Sequence, residues 1–173
     1  MKKIFLILLG SVLVIIACKT SITKNNELNL VLESKSGSAV VGTANFKEKN
    51  GIVTLTAKMS GLSAGIHAIH IHEKSDCTAS DGSSAGGHWN PTFKKHGKWG
   101  DLEYHKGDIG NFTADAKGNG TITFSTSEWC IGCEDETKNI IGKGLIVHKG
   151  TDDFVSQPAG NAGARQACSG IIK

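Results

Sequence analysis

The chain has 173 residues, of which 39% are hydrophobic, 20% charged and 6% aromatic. That length suits one domain with a short appendage, and the apolar share excludes a disordered chain. Lys and Arg number 19 against 16 Asp and Glu, a formal +3, and setting aside Lys2 and Lys3 leaves +1, a near-neutral balance that argues against a nucleic-acid partner.

The first element is a leader. Lys2 and Lys3 precede an uncharged apolar run from Ile4 to Ala17, shorter than the roughly 20 residues a spanning helix needs. It suits the apolar stretch of a signal peptide behind a basic start. The run ends Ile15-Ile16-Ala17-Cys18, which resembles the bacterial lipoprotein box, where the Cys becomes the acylated first residue. The expected organisation is a signal peptide at 1–17, a lipid-anchored polar tether at 18–27 and one domain at 28–173. The protein is thus expected to be exported and membrane-anchored through Cys18, periplasmic or at the cell surface, since two or more acyl chains hold firmly.

Alternation rather than a helical period follows. Leu28, Leu30 and Leu32 alternate with Asn29, Val31 and Glu33, and Val53, Leu55, Ala57 and Met59 alternate with Thr54, Thr56 and Lys58. Asn50-Gly51, between Ala39–Lys47 and Ile52–Met59, is a strong hairpin signal. Gly118-Asn119-Gly120 marks a turn between Asn111–Ala114 and Thr121–Ser125. Further strands are expected at Ile66–Glu73, Leu145–His148 and Gln166–Ile172. The fold class is therefore all-β, an eight-stranded antiparallel barrel or sandwich. Two long Gly-rich, polar stretches, Lys74 to Tyr104 and Lys149 to Ala164, lack strand character, and long loops in a compact domain are usually functional.

Seven His stand out. His70 and His72 share one face of their strand by parity, and His67 falls on the other. Two imidazoles at i and i+2 can converge on one ion. His88, His96 and His105 lie in or at the end of the first long loop, Asp108 follows three residues later, and His148 ends a separate strand. A metal would give such a loop a reason to be ordered; nitrogen-rich sites suit copper and zinc, and three His with one Asp suit tetrahedral zinc.

At this point the chain resembles the copper,zinc superoxide dismutase family, of the bacterial exported lipoprotein kind. The similarity rests on Gly65-Ile-His-Ala-Ile-His-Ile-His-Glu73, Gly86-Gly-His-Trp-Asn-Pro91, His96-Gly97, His105-Lys-Gly-Asp-Ile-Gly-Asn111, Leu145-Ile-Val-His148 and Gly160-Asn-Ala-Gly-Ala-Arg-Gln-Ala-Cys168. It covers roughly residues 28 to 173 and implies an eight-stranded Greek-key β-barrel. It implies copper at His70, His72, His88 and His148, and zinc at His88, His96, His105 and Asp108, with His88 shared. Superoxide would be the substrate, disproportionated to dioxygen and hydrogen peroxide by a copper redox cycle in which His88 takes up and returns a proton. Asp152 would bridge His70 and His96, His67 would hydrogen-bond backbone near the copper strand, and Arg165 would attract the anion. The loop before Arg165 carries little charge besides Lys149, Asp152 and Asp153, a departure from many members that shifts any steering elsewhere, to Lys94, Lys95 or Lys98.

The four Cys beyond Cys18 allow three pairings. The resemblance implies Cys77–Cys168, which leaves Cys130 and Cys133, a pair outside the family pattern. For it a local disulfide is favoured over a copper-acquiring dithiol. A metal reservoir or chaperone relative with the same ligands, and a structural lipoprotein with incidental His, are the competing readings. Arg165 disfavours the first and the spacings disfavour the second. Homodimer and monomer are both compatible with the resemblance.

Overall fold

The structure is a computed structural model that describes residues 26–173. The signal segment, Cys18 and the tether up to residue 25 lie outside the described residues. Eight strands follow in order: β1 Asn26–Ser34, β2 Val41–Lys49, β3 Ile52–Ser60, β4 Gly65–His72, β5 Gly110–Ala114, β6 Gly120–Thr126, β7 Gly144–His148 and β8 Arg165–Gly170. They close a barrel in the order β1-β2-β3-β6-β5-β4-β7-β8, with every pairing antiparallel. Closure removes the unpaired edges that an open sheet would expose.

Period-two patterning explains the walls. In β1, Leu30 and Leu32 are buried while Val31 between them is 69% exposed. Inward residues from every wall, among them Leu32, Phe46, Leu55, Ile69, Ile71, Leu145 and Val147, meet in one core. Each such side chain contributes about 1.5–3 kcal/mol on full burial. Register is set locally at the β2–β3 turn. Asn50 and Gly51 both have positive φ, 53° and 75°, the backbone that a two-residue hairpin needs to match strand twist.

Some boundaries differ from expectation. β1 begins at Asn26, so Asn26 and Glu27, read as tether, pair with Glu48 and Lys47. β2 starts at Val41 rather than Ala39, because the Val40 N–H donates to Ser38 Oγ, whose hydroxyl donates to the Gln166 carbonyl. β5 pairs with β6 only at Ala114↔Gly120, whereas β6 pairs with β3 from Val53↔Thr126 to Met59↔Gly120.

Strand β4 positions the site. It lies between β5 and β7, and His67 through His72 are all buried. Ile69 and Ile71 point into the core, so His70 and His72 point outward, where the long segments 73–109 and 149–164 cover them. The Cys77–Cys168 disulfide ties the first of these segments to β8.

Candidate metal centre

Two groups of side chains converge outside β4. His70, His72, His88 and His148 form one, and His88, His96, His105 and Asp108 form the other. In each, the candidate ligand atoms lie within 4.8 Å of one another, and all seven residues are buried. His88 belongs to both. It is brought to β4 by an isolated bridge between His72 and His88.

One nitrogen of most rings is committed outward. His72 Nδ1–H donates to the Gly86 carbonyl at 2.9 Å, His148 Nδ1–H to Gly163 at 3.1 Å, and His105 Nε2–H to Lys94 at 3.1 Å. His70 and His96 both donate from Nε2 to Asp152, each at 2.9 Å, one to Oδ2 and the other to Oδ1. Donation from one nitrogen leaves a lone pair on the other. Those second nitrogens face inward. His70 Nδ1 and His88 Nε2 are buried without a hydrogen-bond partner, and His96 Nδ1 and His105 Nδ1 face Asp108 at 3.0 Å and 3.3 Å without the geometry of a hydrogen bond. His72 Nε2 and His148 Nε2 lie 3.3 Å apart, two acceptors face to face once each ring has donated from Nδ1. Unsatisfied buried acceptors are costly, and a cation bound among them removes that cost. The donor set suits the ions: imidazoles alone on one side, as copper accepts, and three imidazoles with a carboxylate on the other, as zinc accepts.

A family model for copper/zinc superoxide dismutase (SODC) matches residues 40–172. The chain belongs to this family. Extracellular superoxide dismutase [Cu-Zn] of Caenorhabditis elegans is 38% identical over 143 residues, covering 79% of this chain and 63% of the relative. Superoxide dismutase [Cu-Zn] 2 of Aquifex aeolicus (strain VF5) is 36% identical over 178 residues that cover both chains fully. This chain thus spans less than two thirds of the nematode protein and all of the bacterial one. Copper and zinc are the metals of the copper/zinc superoxide dismutase family, and the described residues offer one group of ligands for each.

Electrostatics around the two groups favour a bound cation. Burial alone would raise the carboxyls of Asp108 and Asp152, yet His105, His88 and His96 on Asp108, and His70 and His96 on Asp152, hold both well below the usual carboxylate range. Burial works against charge on His96, but Asp108 and Asp152 on either side outweigh it and hold that ring up at about 9. Positive charge is therefore stabilised between the two carboxylates. On the other side, burial pushes His88 down to about 4 against the pull of Asp108, with nearby His70 adding to the shift. Burial, then neighbouring imidazoles, lowers His72 and His148 well below their ordinary range. Neutral rings are the form that binds copper.

The site opens to solvent through a cavity of about 530 Å³ that reaches His72, His88, His148, Arg165, Lys94 and Lys95. Arg165 is half-buried there and donates to the carbonyls of Gly82 at 2.6 Å and Gly86 at 2.7 Å. Lys98, the third candidate for steering, is exposed but is not among the residues around this opening. His67 lies apart from both groups. Its Nδ1–H contacts the His148 carbonyl at 3.0 Å and its Nε2 lies 2.9 Å from the Ser63 carbonyl. Cys130 and Cys133 form a disulfide in the segment between β6 and β7, and neither belongs to the two ligand groups.

Several contributors escape sequence reasoning. Asn111 brackets Asp152, its Nδ2 donating to the Asp152 carbonyl and its Oδ1 accepting the Asp152 N–H, both at 2.8 Å. Gln157 does the same for the backbone of His96, at 2.9 Å each way. Gly160 has a φ of +64°, and any side chain there would run into the Asp152 carboxylate and the His96 ring. No local motif announces the Asn111 and Gln157 pairings, whose partners lie 41 and 61 residues away; Gly160 is near Asp152 in the chain but reaches His96 only through the folded loop.

Proposed function

We propose that the protein disproportionates superoxide, two anions and two protons giving one dioxygen and one hydrogen peroxide. The observation that carries this is the inward convergence of unpartnered imidazole nitrogens in two groups sharing His88, with Arg165 beside them in one cavity. His70 Nδ1 and the Nε2 atoms of His72, His88 and His148 would hold copper. The Nδ1 atoms of His88, His96 and His105, with Asp108, would hold zinc. When bound, copper supplies a one-electron couple and zinc a charge without redox chemistry.

The chain's own residues do the rest. Asp152 fixes tautomer and orientation on both sides at once, since one carboxylate takes N–H from His70 and His96. Backbone carbonyls of Gly86 and Gly163 do the same for His72 and His148. Arg165 cannot swing away, as two carbonyls grip its terminal nitrogens. Its remaining N–H groups and charge bind the superoxide anion at the cavity floor. Lys94 and Lys95 at the opening add positive charge where the loop before Arg165 adds little. His88 Nε2 would hold either the ion or, when free of it, a proton that it gives up as the peroxide forms, and the second proton enters from solvent through the cavity.

The protein is further read as exported and anchored through acylated Cys18, as the leader suggests; the two disulfides suit an oxidising compartment. The experiment is metal analysis of the purified full chain with a superoxide assay. Near-stoichiometric copper and zinc with turnover supports the reading. Tight binding of both ions without turnover would replace it with a metal-storage role.

A further inference from the structure

His105 sits between Tyr104 and Lys106, and both neighbours are held by one residue of a different loop. Lys106 Nζ pairs with Glu128 Oε2. The Tyr104 hydroxyl lies 2.8 Å and 3.0 Å from the two Glu128 oxygens and donates to them. The next residue completes the hold, as Trp129 Nε1–H donates to the Lys106 carbonyl at 2.9 Å. The segment that carries His105 is thus gripped by two flanking side chains and by its backbone.

The grip is firmly based. Trp129 is 1% exposed and packs on Phe124, Trp99 and Phe46 at ring separations of 5.1, 5.7 and 6.2 Å. Trp99, three residues after His96, also meets Tyr104 at 5.0 Å. One aromatic cluster therefore underlies both arms of the loop that carries His96 and His105. Beyond Trp129 the chain turns through the Cys130–Cys133 disulfide, and Cys130 exchanges backbone hydrogen bonds with Lys138 and Ile140. The Ile131 N–H donates to Glu48 Oε2 on β2. His105 needs such support more than His96 does. The outer nitrogen of His96 meets the buried carboxylate of Asp152, whereas that of His105 meets only the Lys94 carbonyl in an exposed stretch.

We propose that Glu128 and Trp129 are positioning residues for His105, acting through Tyr104 and Lys106, and that they set how tightly the His88–His96–His105–Asp108 group holds its metal. The Cys130–Cys133 disulfide follows directly on Trp129 in the chain. The inference rests on the reading of that group as the zinc site. Neither residue touches a ligand atom, so the effect travels through the backbone placement of His105.

The test uses the full chain with cobalt(II) in the zinc group, since the visible absorption of tetrahedral cobalt reports ligand geometry. Glu128→Ala is expected to shift that absorption and to speed cobalt loss to a chelator by about tenfold, the lower end for loss of an outer support. Glu128→Gln keeps an acceptor for Tyr104 and should recover part of the loss. Trp129→Phe, which keeps an aromatic ring but removes the donor to Lys106, should speed release by a smaller factor. Wild-type spectra with release within twofold of wild type would overturn the inference. So would a lower melting temperature of metal-free Glu128→Ala beside an unchanged cobalt spectrum, which would make Glu128 a stabilising residue only. If the wild-type chain itself takes up no cobalt at this group, the metal-centre reading fails, and the inference fails with it.

Discussion

Removing the Cys77–Cys168 bridge, as Cys77→Ala with Cys168→Ala, should strongly destabilise the metal-free protein while sparing the ligands. The two residues are 91 apart in sequence, and the chain-entropy relation gives about 4.6 kcal/mol for a loop of that size. Domains of this kind are stable by about 5–15 kcal/mol, so the loss is a third or more of the total. It corresponds to a fall in melting temperature of roughly 10–18 °C. Urea unfolding followed by fluorescence of the three Trp measures it. Metal must be removed first, because a ligand bound only to the folded state adds its own stabilisation. A second effect should appear in the loaded enzyme. The bridge anchors the segment whose Gly82 and Gly86 carbonyls grip Arg165, so turnover per bound copper should fall as well. A stability loss below about 1 kcal/mol in the metal-free state would refute the reasoning, since the entropic constraint would then be negligible.

Arg165→Glu should slow superoxide turnover tenfold or more by reversing the local field while copper and zinc contents stay near wild type; fast-kinetic superoxide decay checks it. Asp108→Ala removes the only carboxylate of the zinc group and should weaken zinc by more than the roughly 100-fold that loss of an outer partner can cost, with limited proteolysis then cutting within 74–104. The metal-free protein should be most stable near pH 6.5. His88, at about 4 when folded and about 6.5 when unfolded, contributes fully above pH 6.5 and loses roughly 3 kcal/mol as pH falls to about 4. The contribution of His96, held at about 9, is complete below pH 6.5 and is lost as pH rises through 9. Melting temperatures across this range that stay flat would contradict both assignments. Cys130→Ser with Cys133→Ser opens a loop closed across a separation of 3 and should cost only about 1.9 kcal/mol, read from melting of the metal-free protein.

How much of this was legible beforehand divides along physical lines. Alternation showed which residues of β1 and β3 turn inward, and Asn50-Gly51 fixed one hairpin, because both signals act within a few residues. The parity of His70 and His72 placed them on one face before any contact was known. Pairing of β6 with β3 was not legible, since barrel closure joins segments some seventy residues apart and Thr121–Ser125 carries no mark of its partner. The ligand sets were implied by the family resemblance, which rests on the order and spacing of whole motifs rather than on any single one. What positions the ligands was hidden. Carbonyls of Gly86, Gly163 and Lys94 are chemically the same as every other carbonyl, and only the folded backbone aims them at imidazoles. Asn111, Glu128 and Trp129 likewise read as ordinary polar or aromatic residues until the loops are folded.

The outward commitments of the imidazoles have a consequence for handling the protein. Rings already locked by carbonyls and by Asp152 need little rearrangement to take an ion, so the site is ready for whichever suitable ion arrives first. Intrinsic affinity of nitrogen donors follows a general order among divalent metals rather than a biological preference. Correct filling then depends on supply, and a preparation made in zinc-rich medium can carry zinc in both halves, keep its fold and lack turnover. Specific activity should therefore be expressed per bound copper rather than per chain.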